Sequence, residues 1–131
     1  MADGVSKEQA EALAKHLSDI AMKSDLEALA VVTREGVRLA FKVVGSKKIE
    51  PDLMSAISAA MLHVGESAVE KMGLKELWEV IITGEEGYIV LSGAGRLVLI
   101  GSGSSLKTLT NTVSVFRTYS RRIADLFPLK D

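Results

Sequence analysis

Five short apolar segments of this chain are predicted β-strands, and the turns between them restrict how the strands can pair. They span residues 26–33, 37–43, 77–82, 88–91 and 97–100. Only Arg34-Glu35-Gly36 separates the first two, and the glycine-containing stretches 84–87 and 93–95 separate the last three. Connections this short join antiparallel neighbours, because a parallel pair needs a crossover of about a dozen residues. The sequence therefore predicts a hairpin followed by a three-stranded meander.

Three further segments are predicted helices. The first covers residues 6–22 and opens with the capping-box sequence Ser6-Lys7-Glu8-Gln9. The second covers residues 51–72, and the third follows Ser105 and ends at Pro128. The order α-β-β-α-β-β-β-α predicts an α+β fold, with one five-stranded, mostly antiparallel sheet and helices on both faces. We expect the first strand to be central and the second to lie at an edge.

The composition fits one globular domain over residues 1–131. Hydrophobic residues make up 47% of the chain and charged residues 25%, which is typical of a packed protein. A net charge of -1 provides no field that would hold nucleic acid, and zero cysteines exclude disulfides, thiolate metal sites and cysteine nucleophiles. Because the sequence shows neither a signal-peptide pattern nor an apolar run long enough to cross a bilayer, we expect a soluble, cytoplasmic protein without membrane insertion.

The second predicted helix lacks the charged face that a helix on a sheet normally turns towards water. Between Leu53 and Val69 its only ionised side chain is Glu66, and apolar residues extend around most of its circumference. Such a helix is either buried in the core of its own chain or in contact with a second chain. We favour contact with a second chain, because monomers rarely leave large apolar patches exposed.

The strand at residues 77–82 also indicates self-association. If the last strand of the meander returns to the centre of the sheet, this strand lies at an edge, and it carries no Lys or Pro to deter pairing. Two copies joined edge to edge about a twofold axis would cover this strand and the second helix together. Trp78 is either a core residue or an anchor of that contact. The predicted dimer interface comprises Met54, Ile57, Ser58, Met61, Leu62, Gly65, Val69, Trp78, Val80 and Ile82.

The chain resembles the Roadblock family, whose small domains include dynein light chains, lysosomal scaffold subunits and bacterial and archaeal partners of Ras-like GTPases. The resemblance spans nearly the whole length and consists of patterns of packing and turning, with no catalytic signature. It is carried by Leu29-Ala30-Val31-Val32-Thr33-Arg34-Glu35-Gly36-Val37, the apolar helix from Met54 to Ala68, Glu86-Gly87-Tyr88-Ile89-Val90, and Ser105-Leu106.

The resemblance implies a Roadblock/profilin-like fold of archaeal or bacterial type, without enzymatic activity or cofactor. It implies a homodimer, or a heterodimer with another Roadblock protein, formed through the second helix and the third strand. It also implies a platform that binds a Ras-like small GTPase and modulates or localises its nucleotide cycle. Activation, exchange and simple tethering stay open, as does a structural adaptor that ignores the nucleotide state.

The segment at residues 101–108 raises a different hypothesis, a phosphate- or nucleotide-binding enzyme. Its sequence, Gly101-Ser102-Gly103-Ser104-Ser105-Leu106-Lys107-Thr108, follows a strand, opens a helix and ends in Lys-Thr as a P-loop does. A P-loop requires glycine before the lysine so that backbone amides can wrap the phosphates, and Leu106 stands at that position. We therefore favour an ordinary turn, in which Leu106 is the first core residue of the last helix.

Few other side chains are candidates for a site. His16 and His63 lie on different predicted helices without neighbouring ligand residues, so we predict no metal site. The dipole of the last helix stabilises cations near its C-terminal end without any partner. This is the simplest interpretation of the three arginines there, Arg117, Arg121 and Arg122. The candidate partner contacts are four arginines, Arg34 at the hairpin tip and Arg117, Arg121 and Arg122 on the last helix.

Overall fold

The computed structural model describes residues 4–129 and has the predicted α+β fold and order of elements. The helices are α1 (Lys7–Lys23), α2 (Pro51–Lys71) and α3 (Leu109–Leu126), and a 3₁₀ turn at Leu106–Thr108 precedes α3. The strands are β1 (Ala28–Thr33), β2 (Arg38–Val43), β3 (Glu79–Gly84), β4 (Gly87–Ala94) and β5 (Leu97–Gly103). The two ends of the predicted 1–131 domain therefore lie outside the described residues.

The five strands form one sheet in the order β2-β1-β5-β4-β3, and every neighbouring pair is antiparallel. The hairpin joins the meander through β1 and β5, with Val31 opposite Leu99 and Leu29 opposite Gly101. This order confirms that β1 is central and that β2 and β3 are the two edges. The β3 edge comes from the return of β5 to the centre of the sheet, as the meander predicts.

Several element boundaries differ from the predicted ones by two or three residues. Strands β4 and β5 continue through Ser92–Gly93–Ala94 and Gly101–Ser102–Gly103, although small residues have low strand propensity. Both strands have neighbours on each side, so ladder hydrogen bonds extend them past their apolar segments. Strand β3 starts at Glu79, because the preceding residues belong to the connection from α2.

Two apolar layers, one on each face of the sheet, form the core. Helices α1 and α3 cover the first face, whose buried residues include Leu13, Leu17, Leu29, Phe116 and Ile123. Helix α2 covers the second face, whose buried residues include Ala30, Met54, Met61, Leu62 and Val98. Strand β1 contributes to both layers, and for this reason its sequence is apolar without alternation.

The start of α1 has the predicted capping box. The backbone N–H of Gln9 donates to Ser6 Oγ at 3.0 Å, and the backbone N–H of Ser6 donates to Gln9 Oε1 at 2.9 Å. The amide nitrogen of the Gln9 side chain also donates to the carbonyl of Leu126 at 2.9 Å. This contact fixes the start of α1 beside the end of α3, so the two helices cover the sheet as a pair.

Candidate functional site

An exposed apolar surface runs from one side of α2 onto the edge strand β3. Leu53 and Val64 on the helix are 55% and 66% exposed, and Ile82 on the strand is 45% exposed. Ala60 lies between the two helix residues in the same exposed stripe. We call Leu53, Ala60, Val64, Val80 and Ile82 the α2/β3 surface.

The close approach of α2 to β3 makes this surface continuous. A Cβ added at Gly65 would lie 2.8 Å from the Val80 side chain and 2.9 Å from that of Leu77. Glycine therefore allows the helix to lie against the edge strand. Strand β3 is hydrogen-bonded only to β4 within the described chain, so its outer edge can accept another strand.

The ten predicted interface residues divide into three groups in the structure. Four of them are buried against the chain's own sheet, namely Met54, Ser58, Met61 and Leu62. Ile57, Gly65, Val69 and Val80 are half-buried at the margin, and Trp78 and Ile82 are exposed. The buried four stabilise the monomer, and the exposed stripe of Leu53, Ala60 and Val64 was not among the predicted interface residues.

Arg34 at the β1–β2 turn is held by other parts of the same chain. Its Nη1 donates to Glu66 of α2 at 2.8 Å, and its Nε and Nη2 donate to the carbonyl of Gly95 at 3.2 and 3.0 Å. The side chain therefore connects three elements at one end of the sheet. These bonds would have to break before Arg34 could reach a partner, and so they give this predicted contact residue a structural role.

The three arginines of α3 have different surroundings. Arg117 donates from Nε and Nη2 to the two carboxylate oxygens of Glu79 at 3.0 and 2.8 Å, and these hydrogen bonds raise its pKa. Arg122 lies with its guanidinium carbon 4.7 Å from the centre of the Tyr119 ring. Arg121 is exposed and forms no ion pair with residues 4–129. Of the three, Arg121 is the most available to a ligand or a partner.

A groove of about 620 Å³ lies between α3 and the start of β3. Arg117, Arg121 and Ala124 of the helix form one wall, and Ser92 and Gly93 of β4 line it as well. Trp78, which is 72% exposed, lines the groove together with Leu129. We call this cavity the α3/β3 groove. No sequence motif indicated it, because its residues come from four separate parts of the chain.

The segment at residues 101–108 differs from a phosphate-binding loop in its backbone. Gly101 to Gly103 continue strand β5 and are paired with β1 or β4, so their amides belong to the sheet and cannot wrap a phosphate. The Ser105 hydroxyl accepts from the Lys107 backbone N–H at 3.3 Å, which is an ordinary cap. The prediction that Leu106 is a core residue is wrong, since its side chain is 46% exposed. It lies in the 3₁₀ turn before α3 and outside the helix face that packs on the sheet.

The two histidines are separate, as the sequence predicted. His16 packs edge-on against Tyr119 with ring centres 5.7 Å apart, and burial, together with Arg122 and Lys15, lowers its pKa against the opposing effect of Asp19. His63 is exposed on α2. Over residues 4–129 there is no cluster of three or more His, Asp or Glu side chains that would hold a metal ion. None of the helices in this range has the length and apolarity needed to span a membrane.

Comparison with protein families gives one match. The model of the Roadblock/LC7 domain matches residues 13–101, which is more than half of the chain and reaches from α1 to β5. No curated protein sequence matches the chain.

Comparison with solved structures gives the same fold over a longer range. A structure described as MglB with tetrameric arrangement has a TM-score of 0.84 and 16% sequence identity over 93% of this chain and 92% of that one. The gliding protein MglB from Thermus thermophilus has a TM-score of 0.84 and 17% identity over 93% of both chains. Myxococcus xanthus MglB has a TM-score of 0.70 and 12% identity, covering 82% of this chain and 88% of that one.

Proposed function

Because the chain belongs to the Roadblock/LC7 domain family, we propose that it is a non-catalytic regulatory or scaffold protein that binds a Ras-like small GTPase as a dimer. The observation that carries the proposal is the α2/β3 surface, which is apolar, exposed and next to an unpaired sheet edge. Large apolar patches of this kind mark contact with another protein more often than they mark the free surface of a monomer.

A single twofold rotation would place a second copy of the chain against this surface. If two β3 strands pair antiparallel about a twofold axis, their sheets join into one of about ten strands and their α2 helices lie side by side. Leu53, Ala60 and Val64 would then meet their counterparts, with Ile82 beside them. The description of one similar structure as tetrameric supports self-association. Pairing with a different Roadblock protein uses the same geometry and is the alternative to a homodimer.

The GTPase is inferred from the family resemblance, which implies a Ras-like partner. Regulation then works by differential affinity, since a platform can shift the switch loops of a GTPase only if it binds their two states unequally. Arg121 and Arg122 are the candidate contacts without an ion-pair partner within residues 4–129, whereas Arg34 and Arg117 are engaged with Glu66 and Glu79.

Binding to small GTPases from the same genome tests the proposal. Each GTPase is loaded in turn with GDP and with a GTP analogue, and its affinity for the purified chain is measured by calorimetry. Unequal affinity for the two states supports a regulator, and equal affinity supports an adaptor that ignores the nucleotide. The absence of binding to every GTPase in both states would refute the proposal. Light scattering on the free chain reports the dimer independently.

A further inference from the structure

The α3/β3 groove has the volume and the lining of a small-molecule site. Its volume is about 620 Å³, and sites for small organic molecules typically enclose about 300–1000 Å³, with mostly apolar walls and a few polar groups. Trp78, Ala124, Pro128 and Leu129 supply apolar lining. We propose that this groove binds a small organic monoanion, with the charged group at the α3 wall and the apolar body against Trp78 and Leu129.

The α3 wall supplies the positive charge. Arg117 and Arg121 both line the groove and are four residues apart, so their side chains lie one turn apart on the same side of the helix. Glu79 neutralises Arg117, and Arg121 has no ion-pair partner within residues 4–129. Arg34 and Glu76 also line the groove, and both line a second groove as well, where Arg34 is paired with Glu66. The positive charge that an anion at this wall would pair with is therefore that of Arg121.

Ser92 gives an independent indication of a ligand. Its side chain is 3% exposed and lines the groove, and its Oγ has no hydrogen-bond partner among the described residues. Buried hydroxyls are almost always paired, because removal from water without a partner is unfavourable. Ser92 lies directly opposite Glu79 in the β3–β4 ladder, beside the carboxylate that binds Arg117. An anionic oxygen at this wall thus meets guanidinium groups and a hydroxyl donor that lacks an acceptor.

The apolar lining of the groove selects for a ligand that has an apolar body in addition to its charged group. Trp78 and Leu129 are large, exposed apolar side chains, 72% and 51% exposed, and both line this groove. A flat or aliphatic body that lies against the indole removes apolar area of both partners from water. Free inorganic anions lack such a body, so the groove should discriminate in favour of an anion that carries one.

The pair 2-naphthoate and 2-naphthamide tests the proposal, because the two molecules have nearly the same shape and differ in charge. Trp78 is the only tryptophan of the chain, so its indole N–H gives a single resonance in a ¹H–¹⁵N spectrum. We expect millimolar naphthoate to shift this resonance and to bind about tenfold more tightly than naphthamide. Equal affinity for the two probes, or no shift with naphthoate, would overturn the proposal.

Two substitutions locate the charged group. Arg121→Gln keeps most of the side-chain length and should lower the affinity for naphthoate about five- to tenfold, with little effect on naphthamide. Arg122→Gln is the matched control, because Arg122 is adjacent in sequence but lies over the Tyr119 ring. Ser92→Ala should weaken naphthoate binding more than naphthamide binding, because a hydrogen bond to a charged acceptor is the stronger one. Unchanged naphthoate affinity in Arg121→Gln would refute the assignment, and sedimentation of each sample separates this result from any loss of the dimer.

Discussion

Arg117 on α3 and Glu79 on β3 form a two-point ion pair that links the third helix to the edge strand, with N–O distances of 3.0 and 2.8 Å. Glu79 belongs to the strand whose outer edge carries the proposed dimer contact, and Arg117 lines the α3/β3 groove. The two proposed sites therefore share one strand and lie on opposite faces of the sheet. A variant made for one of them has to be measured at the other as well.

Val64→Glu is expected to convert the dimer into a folded monomer. Val64 is 66% exposed in the single chain, so a carboxylate there has little effect on the monomer. At a contact between two α2 helices the same carboxylate would be buried without a partner, which is strongly unfavourable. Sedimentation velocity measures the association state, and circular dichroism measures the fold. A Val64→Glu chain that remains dimeric would argue against α2 as the contact.

Met61→Glu, on the same helix, is the control for that experiment. Met61 is 6% exposed and packs on the sheet within its own chain. A carboxylate at this position should lower the free energy of unfolding of the monomer by on the order of 3 kcal/mol. Loss of the dimer with Met61→Glu would therefore be accompanied by loss of the fold, whereas loss of the dimer with Val64→Glu would not.

The contrast between Val64 and Met61 shows where sequence reasoning on α2 reached its limit. The absence of charge around the helix correctly indicated an apolar surface beyond the core. The side that faces the sheet could not be identified, because Met54 and Met61 have no more apolar character than Leu53 and Val64. Gly65 marks the side of the helix that lies against the edge strand, because a Cβ there would meet Val80 and Leu77. A glycine inside a helix is a weak signal without knowledge of the neighbouring strand.

The strands were more predictable than the sites. Turns of three or four residues permit little besides antiparallel hairpins, so the two edges and the central β1 followed from the chain order. The α3/β3 groove had no comparable signal, since Ser92, Trp78 and Arg121 are far apart in sequence and each has an ordinary local explanation. Leu106 was misplaced because the helical spacing of apolar residues was extended one turn too early, into the 3₁₀ segment.

Gly101→Ala is expected to destabilise the fold by about 1–3 kcal/mol. A Cβ at this position would lie 2.7 Å from Cζ of Phe116 and 3.2 Å from Cδ1 of Leu26. Both side chains are buried in the first core layer, so neither can move away without disturbing its neighbours. Urea denaturation gives the difference in free energy of unfolding. Gly84→Ala serves as the control, because the nearest atom to its Cβ is 4.0 Å away, and a similar loss there would contradict the packing argument.

The fold is expected to lose stability as pH falls below about 6.5, the ordinary pKa of histidine, with His16 as one cause. Burial, followed by Arg122, holds the pKa of His16 below its ordinary value of 6.5, and Asp19 opposes this without cancelling it. The unfolded chain then binds more protons than the folded chain, so stability is greatest above the unfolded pKa and falls as pH falls below it. Urea midpoints across this range should change less in His16→Gln than in the wild type. An unaltered slope in His16→Gln would remove His16 as the cause.

Ser92→Ala is expected to leave the free energy of unfolding unchanged or to raise it by up to about 1 kcal/mol. The Ser92 Oγ is buried without a hydrogen-bond partner among the described residues, so the hydroxyl contributes a desolvation cost that alanine lacks. Thr112→Val is the comparison, because the Thr112 hydroxyl is buried but bonded to the Tyr88 hydroxyl at 2.7 Å, and its removal should cost about 1–2 kcal/mol. Thermal and urea unfolding of both variants measure these changes. A loss of stability in Ser92→Ala equal to that in Thr112→Val would mean that the Ser92 hydroxyl is satisfied within the fold, and the reason to assign it to a ligand would be gone.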